Sequence, residues 1–310
     1  MAGTCGGGHD SGTCGGGRDG GNVWGRPGCQ AQVAQGSPPM GGQVSTSSSF
    51  SNLRCRNANE DWMSALCPQL WDVPLHHLSI PGSHDTMTYC LNKKSPISHE
   101  ESRLLQLLNK AFPCITRPVV LKWSVTQALD VTEQLDAGVR YLDLRIAHML
   151  EGSEKNLHFV HMVYTTALVE ELPTLRQLWS RGQQVIVSYE DESSLGRHCE
   201  LWPGIPYWWG NTAKTEALIR YLETMKSCGR PGGLFVAGTN LTENLQYVLA
   251  HPSESLEKMT LPNLPRLSAW VREQHPGPGS RCTNVIAGDF IGADSFVGDV
   301  IALNQKLLWC

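Results

Sequence analysis

The sequence predicts an α/β fold in which helices cover the outer face of a largely parallel sheet, preceded by an unstructured tail. Three observations carry this. Short apolar or alternating segments recur with helical segments between them, the order that strand-crossover-strand chains require. Polar clusters rich in histidine and carboxylate stand at the ends of the strand candidates, where this class of fold builds its sites. Residues 1–50 lack both apolar periodicities and are rich in Gly and Ser.

The tail comes first. It holds an imperfect repeat, Gly3-Thr-Cys-Gly-Gly-Gly-His-Asp10 and Gly12-Thr-Cys-Gly-Gly-Gly-Arg-Asp19. Such a segment buries too little apolar area to offset its chain entropy, so it is expected to be disordered. Within it, Met40-Gly41-Gly42-Gln43-Val44-Ser45 matches a myristoylation pattern that acts only at an N-terminus and is expected to be silent here.

Residues 51–310 form the folded domain. Leu75 to Ile80 is the first strand candidate, ended by Pro81-Gly82. Val125 to Ala137 carries helical spacing at Val125, Leu129 and Leu135, and Gly138 suits its C-terminal stop. Further strands are expected at Val139 to Ile146, Leu157 to Val163, Val185 to Tyr189, Leu234 to Ala237 and Val285 to Ala287. Helices are expected at Thr174 to Ser180, Lys214 to Met225 and Leu264 to Arg272. Trp202, Trp208 and Trp209 flank a Pro/Gly loop and suit either an aromatic rim at a membrane interface or packing beneath that loop.

Composition narrows the function. With 310 residues, 41% of them apolar and 17% charged, the chain supports one sizeable core. A net charge of −4 excludes a partner bound through a broad basic field, nucleic acid above all. Eleven cysteines show no CxxC pair and no metal-ligand cluster, which fits reduced thiols in the cytoplasm. The chain shows no run of apolar residues long enough to span a membrane, so any lipid contact is expected to be peripheral.

Three polar constellations carry the chemistry. Ser79-Ile-Pro-Gly-Ser-His-Asp-Thr86 ends the first strand, Asp143-Leu144-Arg145 the next, and His158-Phe-Val-His161 the one after. Two histidines, an arginine and carboxylates at successive strand ends are able to converge on one phosphate. Cleaving a phosphodiester needs a base for the attacking oxygen, an acid for the leaving alkoxide, and a cation on the equatorial oxygens. Histidine fills the first two roles near neutral pH, and arginine offers a planar donor fork for the third.

Four stretches resemble the X domain of phosphatidylinositol-specific phospholipases C: Leu78-Ser-Ile-Pro-Gly-Ser-His-Asp85, Gln134-Leu-Asp-Ala-Gly-Val-Arg-Tyr-Leu-Asp-Leu-Arg145, Phe159-Val-His-Met162 and Asn284-Val-Ile-Ala-Gly-Asp-Phe290. The resemblance runs from about residue 40 to the C-terminus. It implies a distorted TIM-type (β/α) barrel and a reaction in which the inositol 2-hydroxyl attacks the phosphate of a phosphatidylinositol-type lipid at a membrane surface. By the same resemblance His84 is the general base, His161 the general acid, Asp85 the carboxylate supporting that acid, and Arg145 the phosphate-binding cation. Asp143 would orient Arg145, and Asp289 would stand behind His84. Calcium-dependent members carry acids where Asp143 and Arg145 stand here, so the resemblance implies a calcium-independent site with no cofactor. A glycerophosphodiesterase fits less well, because that chemistry usually places metal-binding acids around the first histidine.

The chain departs from the family after His161. Tyr164-Thr-Thr-Ala-Leu-Val-Glu-Glu171 runs straight into Pro173-Thr-Leu-Arg-Gln-Leu-Trp179, where the family carries a further helix, strand and helix. About fifty residues, part of one or two βα units, are therefore expected to be absent. A closed barrel cannot lose a strand without re-registering or exposing backbone groups. Two functions remain: an active lipid phosphodiesterase, or a catalytically impaired variant that binds lipid headgroups or proteins.

Overall fold

The computed structural model describes residues 59–99, 101–148, 157–168, 186–191, 197 and 201–308. The tail and the helix expected at Thr174 to Ser180 lie outside these residues. Strands run in order as β1 Ile80–Ser83, β2 Tyr141–Leu142, β3 Ile146–His148, β4 Leu157–His161, β5 Val163–Leu168, β6 Ser188–Tyr189, β7 Trp202–Pro203, β8 Tyr207–Trp208, β9 Val236–Gly238 and β10 Val285–Gly288. The helices are α1 Trp62–Ala65, α2 Arg103–Ala111, α3 Pro113–Ser124, α4 Val131–Ala137, α5 Thr215–Cys228, α6 Leu245–Ala250, α7 Leu256–Thr260, α8 Leu264–Glu273 and α9 Phe296–Ala302.

The chain divides into two compact units, one of residues 41–170 and 205–310, the other of residues 1–40 and 171–204. In the smaller unit β6 pairs in parallel with β7. The larger unit is built on a five-stranded sheet ordered β2-β1-β10-β9-β8, parallel throughout. Its strands alternate between two apolar layers. Ala237 and Ile286 face a cluster with Trp123, Leu218, Leu222, Trp270 and Val300, while Val236, Val285 and Ala287 face Leu78, Ile80, Tyr141 and Tyr207. Burial on both faces is what a parallel sheet demands of its β-branched and small residues. Two amides anchor the entry to β1: Asn304 bonds both the N–H and the carbonyl of Ser79, at 2.8 Å each, and Asn284 donates to the carbonyls of Leu75 and Leu78.

Several expectations change. Among the described residues the parallel sheet is open and no closed barrel is formed. The expected strand at Leu75 to Ile80 begins only at Ile80. Leu75–His77 is a 3₁₀ turn entered from Pro74, whose fixed φ suits a turn, and side chains rather than a neighbouring strand take its carbonyls, Asn284 that of Leu75 and Arg230 that of His76. The helix expected from Val125 starts at Val131, where Asp130 and Glu133 form a reciprocal capping box. Gly138 ends it with φ 111°, as expected of a left-handed stop. The strand expected over Val139 to Ile146 is split into β2 and β3 by residues 143–145, of which Asp143 and Arg145 turn their side chains to the site.

The segment expected as one parallel strand at Leu157 to Val163 is two strands of an antiparallel meander, β3-β4-β5. Met162, at φ 57°, makes the tight reversal between them. The short link from β4 to β5 leaves no room for a crossover helix, so antiparallel pairing is the only geometry available. Trp208 is buried in the core and packs on Phe235 with ring centroids 4.6 Å apart, whereas Trp209 is exposed and donates to Thr242 Oγ1 at 2.7 Å.

Candidate active site

The site grows from the C-terminal ends of β1 and β10. Ser83 aligns with Gly288 across the pair, so the next residues, His84 and Asp289, emerge side by side. Gln127 locks them together: its buried side chain donates to the carbonyls of both His84 and Gly288 at 2.9 Å. Thr126 Oγ1 donates to the His84 carbonyl at 3.0 Å. Asp85 then turns at φ 43°, an unusual left-handed conformation that an aspartate tolerates better than most residues.

His84 is buried. Its Nδ1 lies 2.7 Å from Asp289 Oδ1, and its Nε2 lies 3.1 Å from Asp85 Oδ2 and 3.1 Å from Arg145 Nη2. The Asp85 carboxylate is shared: Oδ2 is also 3.3 Å from His161 Nε2, and Oδ1 is 2.8 Å from Arg145 Nε. Arg145, half exposed, is held from its other side by Asp143 Oδ2 at 3.0 Å. His161 Nδ1 stands 2.7 Å from the Ser124 carbonyl at the end of α3. A carbonyl only accepts, so this nitrogen carries its hydrogen and Nε2 is the one that faces the site. The imidazole rings of His84 and His161 are 6.3 Å apart between centroids. A hollow beside them is lined by Asp85, Met87, Leu91, Arg145, Phe159 and His161.

The electrostatics follow from burial and pairing. Burial alone would lower the His84 pKa, but the Asp85 and Asp289 carboxylates outweigh it and push the imidazole up to about 9. Burial would raise the Asp85 carboxyl, yet His161, His84 and Arg145 together hold it below the ordinary carboxylate range. Asp289 moves the other way, raised by burial that the His84 contact only partly offsets. Burial also opposes charge on Arg145, but Asp85 and Asp143 more than compensate and fix it as a cation.

All six residues named from the sequence thus meet in one place. One arrives differently from expectation. His161 sits on an antiparallel strand rather than at the end of a parallel one, and the meander still carries it to Asp85. The sequence reading missed Ser124, Gln127, Tyr207, Asn240 and Glu243. Asn240 follows β9 and was accessible through the strand-end rule, whereas Tyr207 lies after Pro203-Gly-Ile-Pro206, which reads as loop. Burial raises the Glu243 carboxyl, and the charges of His161, Asp289 and His84 act on it.

Ligand atoms of His84, Asp85 and Asp143 lie within 4.8 Å of one another, the spacing of a metal-binding trio. The Arg145 guanidinium already engages both carboxylates. These residues do not fit a divalent ion unless that fixed cation is displaced.

Comparison with known proteins accords with this geometry. No family model matches the chain. PI-PLC X domain-containing protein 1 of Homo sapiens is 79% identical over 323 residues, covering 87% of this chain and 100% of that protein. The protein of the same name from Mus musculus is 58% identical over 300 residues, covering 80% of this chain and 87% of that one. Since 87% of 310 residues is about 270, roughly fifty of the 323 positions aligned with the human relative face no residue here, the size of the loss expected after His161. Two solved structures of phosphatidylinositol-specific phospholipase C from Staphylococcus aureus share the fold with TM-score 0.50 at 13% identity, each over 81% of this chain and 99% of that one. The chain belongs to the PI-PLC X domain-containing protein family.

Proposed function

We propose that the protein is a phosphoric diester hydrolase of the phospholipase C type, acting on a phosphatidylinositol-like lipid by histidine acid-base catalysis. One observation carries the reading. Three nitrogens, His84 Nε2, His161 Nε2 and Arg145 Nε, surround a single anionic group, the Asp85 carboxylate, at 3.1, 3.3 and 2.8 Å. A phosphodiester brought to this cluster would meet the same three groups. His84 Nε2 takes the proton of an attacking ring hydroxyl as that oxygen bonds to phosphorus. Arg145 stabilises the charge on the equatorial oxygens, and His161 Nε2 returns a proton to the departing diacylglycerol alkoxide. Asp289 steadies the proton gained by His84, and the Ser124 carbonyl holds the orientation of His161. Acid and base are each worth on the order of 10²–10⁴ in rate.

The reading needs no metal. At ~4 Å and an effective dielectric of ~20, a calcium ion would meet repulsion from Arg145 of roughly 4 kcal/mol for each of its charges. Cleavage is therefore expected to persist in excess chelator.

A membrane surface is the proposed setting, at its cytoplasmic side, where free thiols such as Cys67, Cys114 and Cys282 persist. No helix among the described residues is long and apolar enough to cross a membrane. The hairpin of α2 and α3 exposes Leu104, Leu107, Phe112 and Ile115 among Arg103, Lys110, Arg117 and Lys122, the pairing of apolar and basic groups that suits an anionic bilayer.

A second reading, an impaired variant that binds headgroups or partners, is favoured by one observation, the open sheet of a chain that has no counterpart for some fifty of the positions aligned with its relative. Arg145→Lys separates the two. It removes the bidentate fork but keeps the charge, so an enzyme loses turnover about a hundredfold or more, while a binding module shows no turnover to lose.

A further inference from the structure

Two residues outside the family motifs bear on the His84 ring. Tyr207 on β8 donates its hydroxyl to Asn240 Oδ1 at 2.9 Å, and Asn240, just past β9, is 1% exposed. With its oxygen committed to Tyr207, the amide presents Nδ2 to His84 Nε2 at 3.5 Å. Arg145 Nη2 faces the same ring nitrogen at 3.1 Å. An amide NH₂ and a guanidinium can only donate. Both therefore demand a lone pair on Nε2, which leaves the ring hydrogen on Nδ1, directed at Asp289 Oδ1 2.7 Å away.

The backbone reserves space for this pair. Gly238 is the last residue of β9, and a side chain there would collide with the Tyr207 ring and with Asn240 Oδ1. Burial raises the Tyr207 phenol well above its ordinary pKa, so its hydroxyl remains a donor. The groups acting on His84 from the surrounding elements are Asp85, Asp289, Arg145, His161, Tyr207 and Glu243. Of these, Asp85 alone opposes the relay directly, since its Oδ2 at 3.1 Å favours a hydrogen on Nε2.

We propose that Tyr207 and Asn240 form a positioning relay that selects the Nδ1–H tautomer of His84 and keeps Nε2 open to receive a proton. The relay offsets the pull of Asp85, so that Nε2 is the open nitrogen whenever His84 is neutral. The value of that open nitrogen for catalysis rests on the phosphodiesterase reading, but the tautomer does not.

The test uses the full chain labelled with ¹⁵N, the ring signals of His84 being identified by their loss in His84→Ala. Above the titration of His84, the wild type is expected to show a protonated Nδ1 and a bare Nε2. Tyr207→Phe keeps the ring against Gly238 but frees the Asn240 amide to turn, so the two tautomers are expected to mix and the titration to move to higher pH. Asn240→Asp, nearly isosteric, places an acceptor beside Nε2 and is expected to shift both further. In a lipid-cleavage assay Tyr207→Phe is expected to lower kcat about tenfold with KM unchanged. A wild type already in the Nε2–H form, or variants with its tautomer and titration, would overturn the relay. A chain with the expected tautomers that cleaves no lipid would support the relay and overturn the phosphodiesterase reading.

Discussion

His84 lies between two carboxylates, and its charge is decided by which of them holds it. Asp289 Oδ1 at 2.7 Å bonds the nitrogen that carries hydrogen in either state, whereas Asp85 gains only when Nε2 is protonated. Asp289→Asn removes one negative neighbour and is expected to bring His84 down from about 9 toward its ordinary range. The acid limb of kcat/KM should move to lower pH with it, and a limb unmoved in that variant would show that Asp289 does not set the titration. Stability should follow the same group. A raised folded pKa stabilises fully below the ordinary histidine value of 6.5 and that stability is lost as pH climbs to about 9. The loss across that window is on the order of 3 kcal/mol in the wild type and smaller in Asp289→Asn, measurable by denaturant unfolding at several pH values. At this scale the sequence was informative where function concentrates chemistry into short motifs. His84-Asp85 and Asp143 to Arg145 stand out because those residue types at a strand end have few structural uses. Tyr207 and Asn240 did not stand out, since their pairing depends on two adjacent strand ends meeting in space.

Helix signals were legible where the chain writes its own boundaries. Asp130 and Glu133 close α4 at its start, and Gly138 stops it at φ 111°. A Cβ at Gly138 would lie 2.9 Å from Asn59 Cβ and 3.0 Å from Ile301 Cδ1, so Gly138→Ala meets both backbone strain and crowding. Its expected cost is upwards of ~1 kcal/mol, seen as a lower Tm, and an unchanged Tm would contradict the assignment. Strand direction was not legible. Alternation along Leu157 to Val163 predicts a strand but says nothing about its partner's orientation, and the reversal at Met162 rests on a positive φ that a methionine does not advertise. The α2 and α3 hairpin supplies the third prediction. Leu107→Ser with Phe112→Ser should weaken sedimentation with anionic vesicles while leaving Tm nearly unchanged, because both side chains are exposed. Equal vesicle binding in the double variant would move the proposed lipid contact elsewhere.

On the scale of the molecule, the parallel sheet and its two apolar layers followed from the βα alternation, but closure into a barrel did not. Closure depends on how many strands there are and on their shear, and this chain matches its human relative with roughly fifty positions missing. The site nevertheless assembles, because its anchors lie on the retained side: β1 and β10 place His84 and Asp289, Gln127 ties them, and α3 supplies the carbonyl that orients His161. Restoring the missing segment is expected to raise the Tm and turnover together. The most direct measurement is the release of diacylglycerol from phosphatidylinositol vesicles by this chain in excess chelator, with His161→Ala beside it. Metal-independent release that falls by at least about a hundredfold in the variant is the result this account predicts. Release abolished by chelator and restored by calcium, or equal release from the variant, would contradict it.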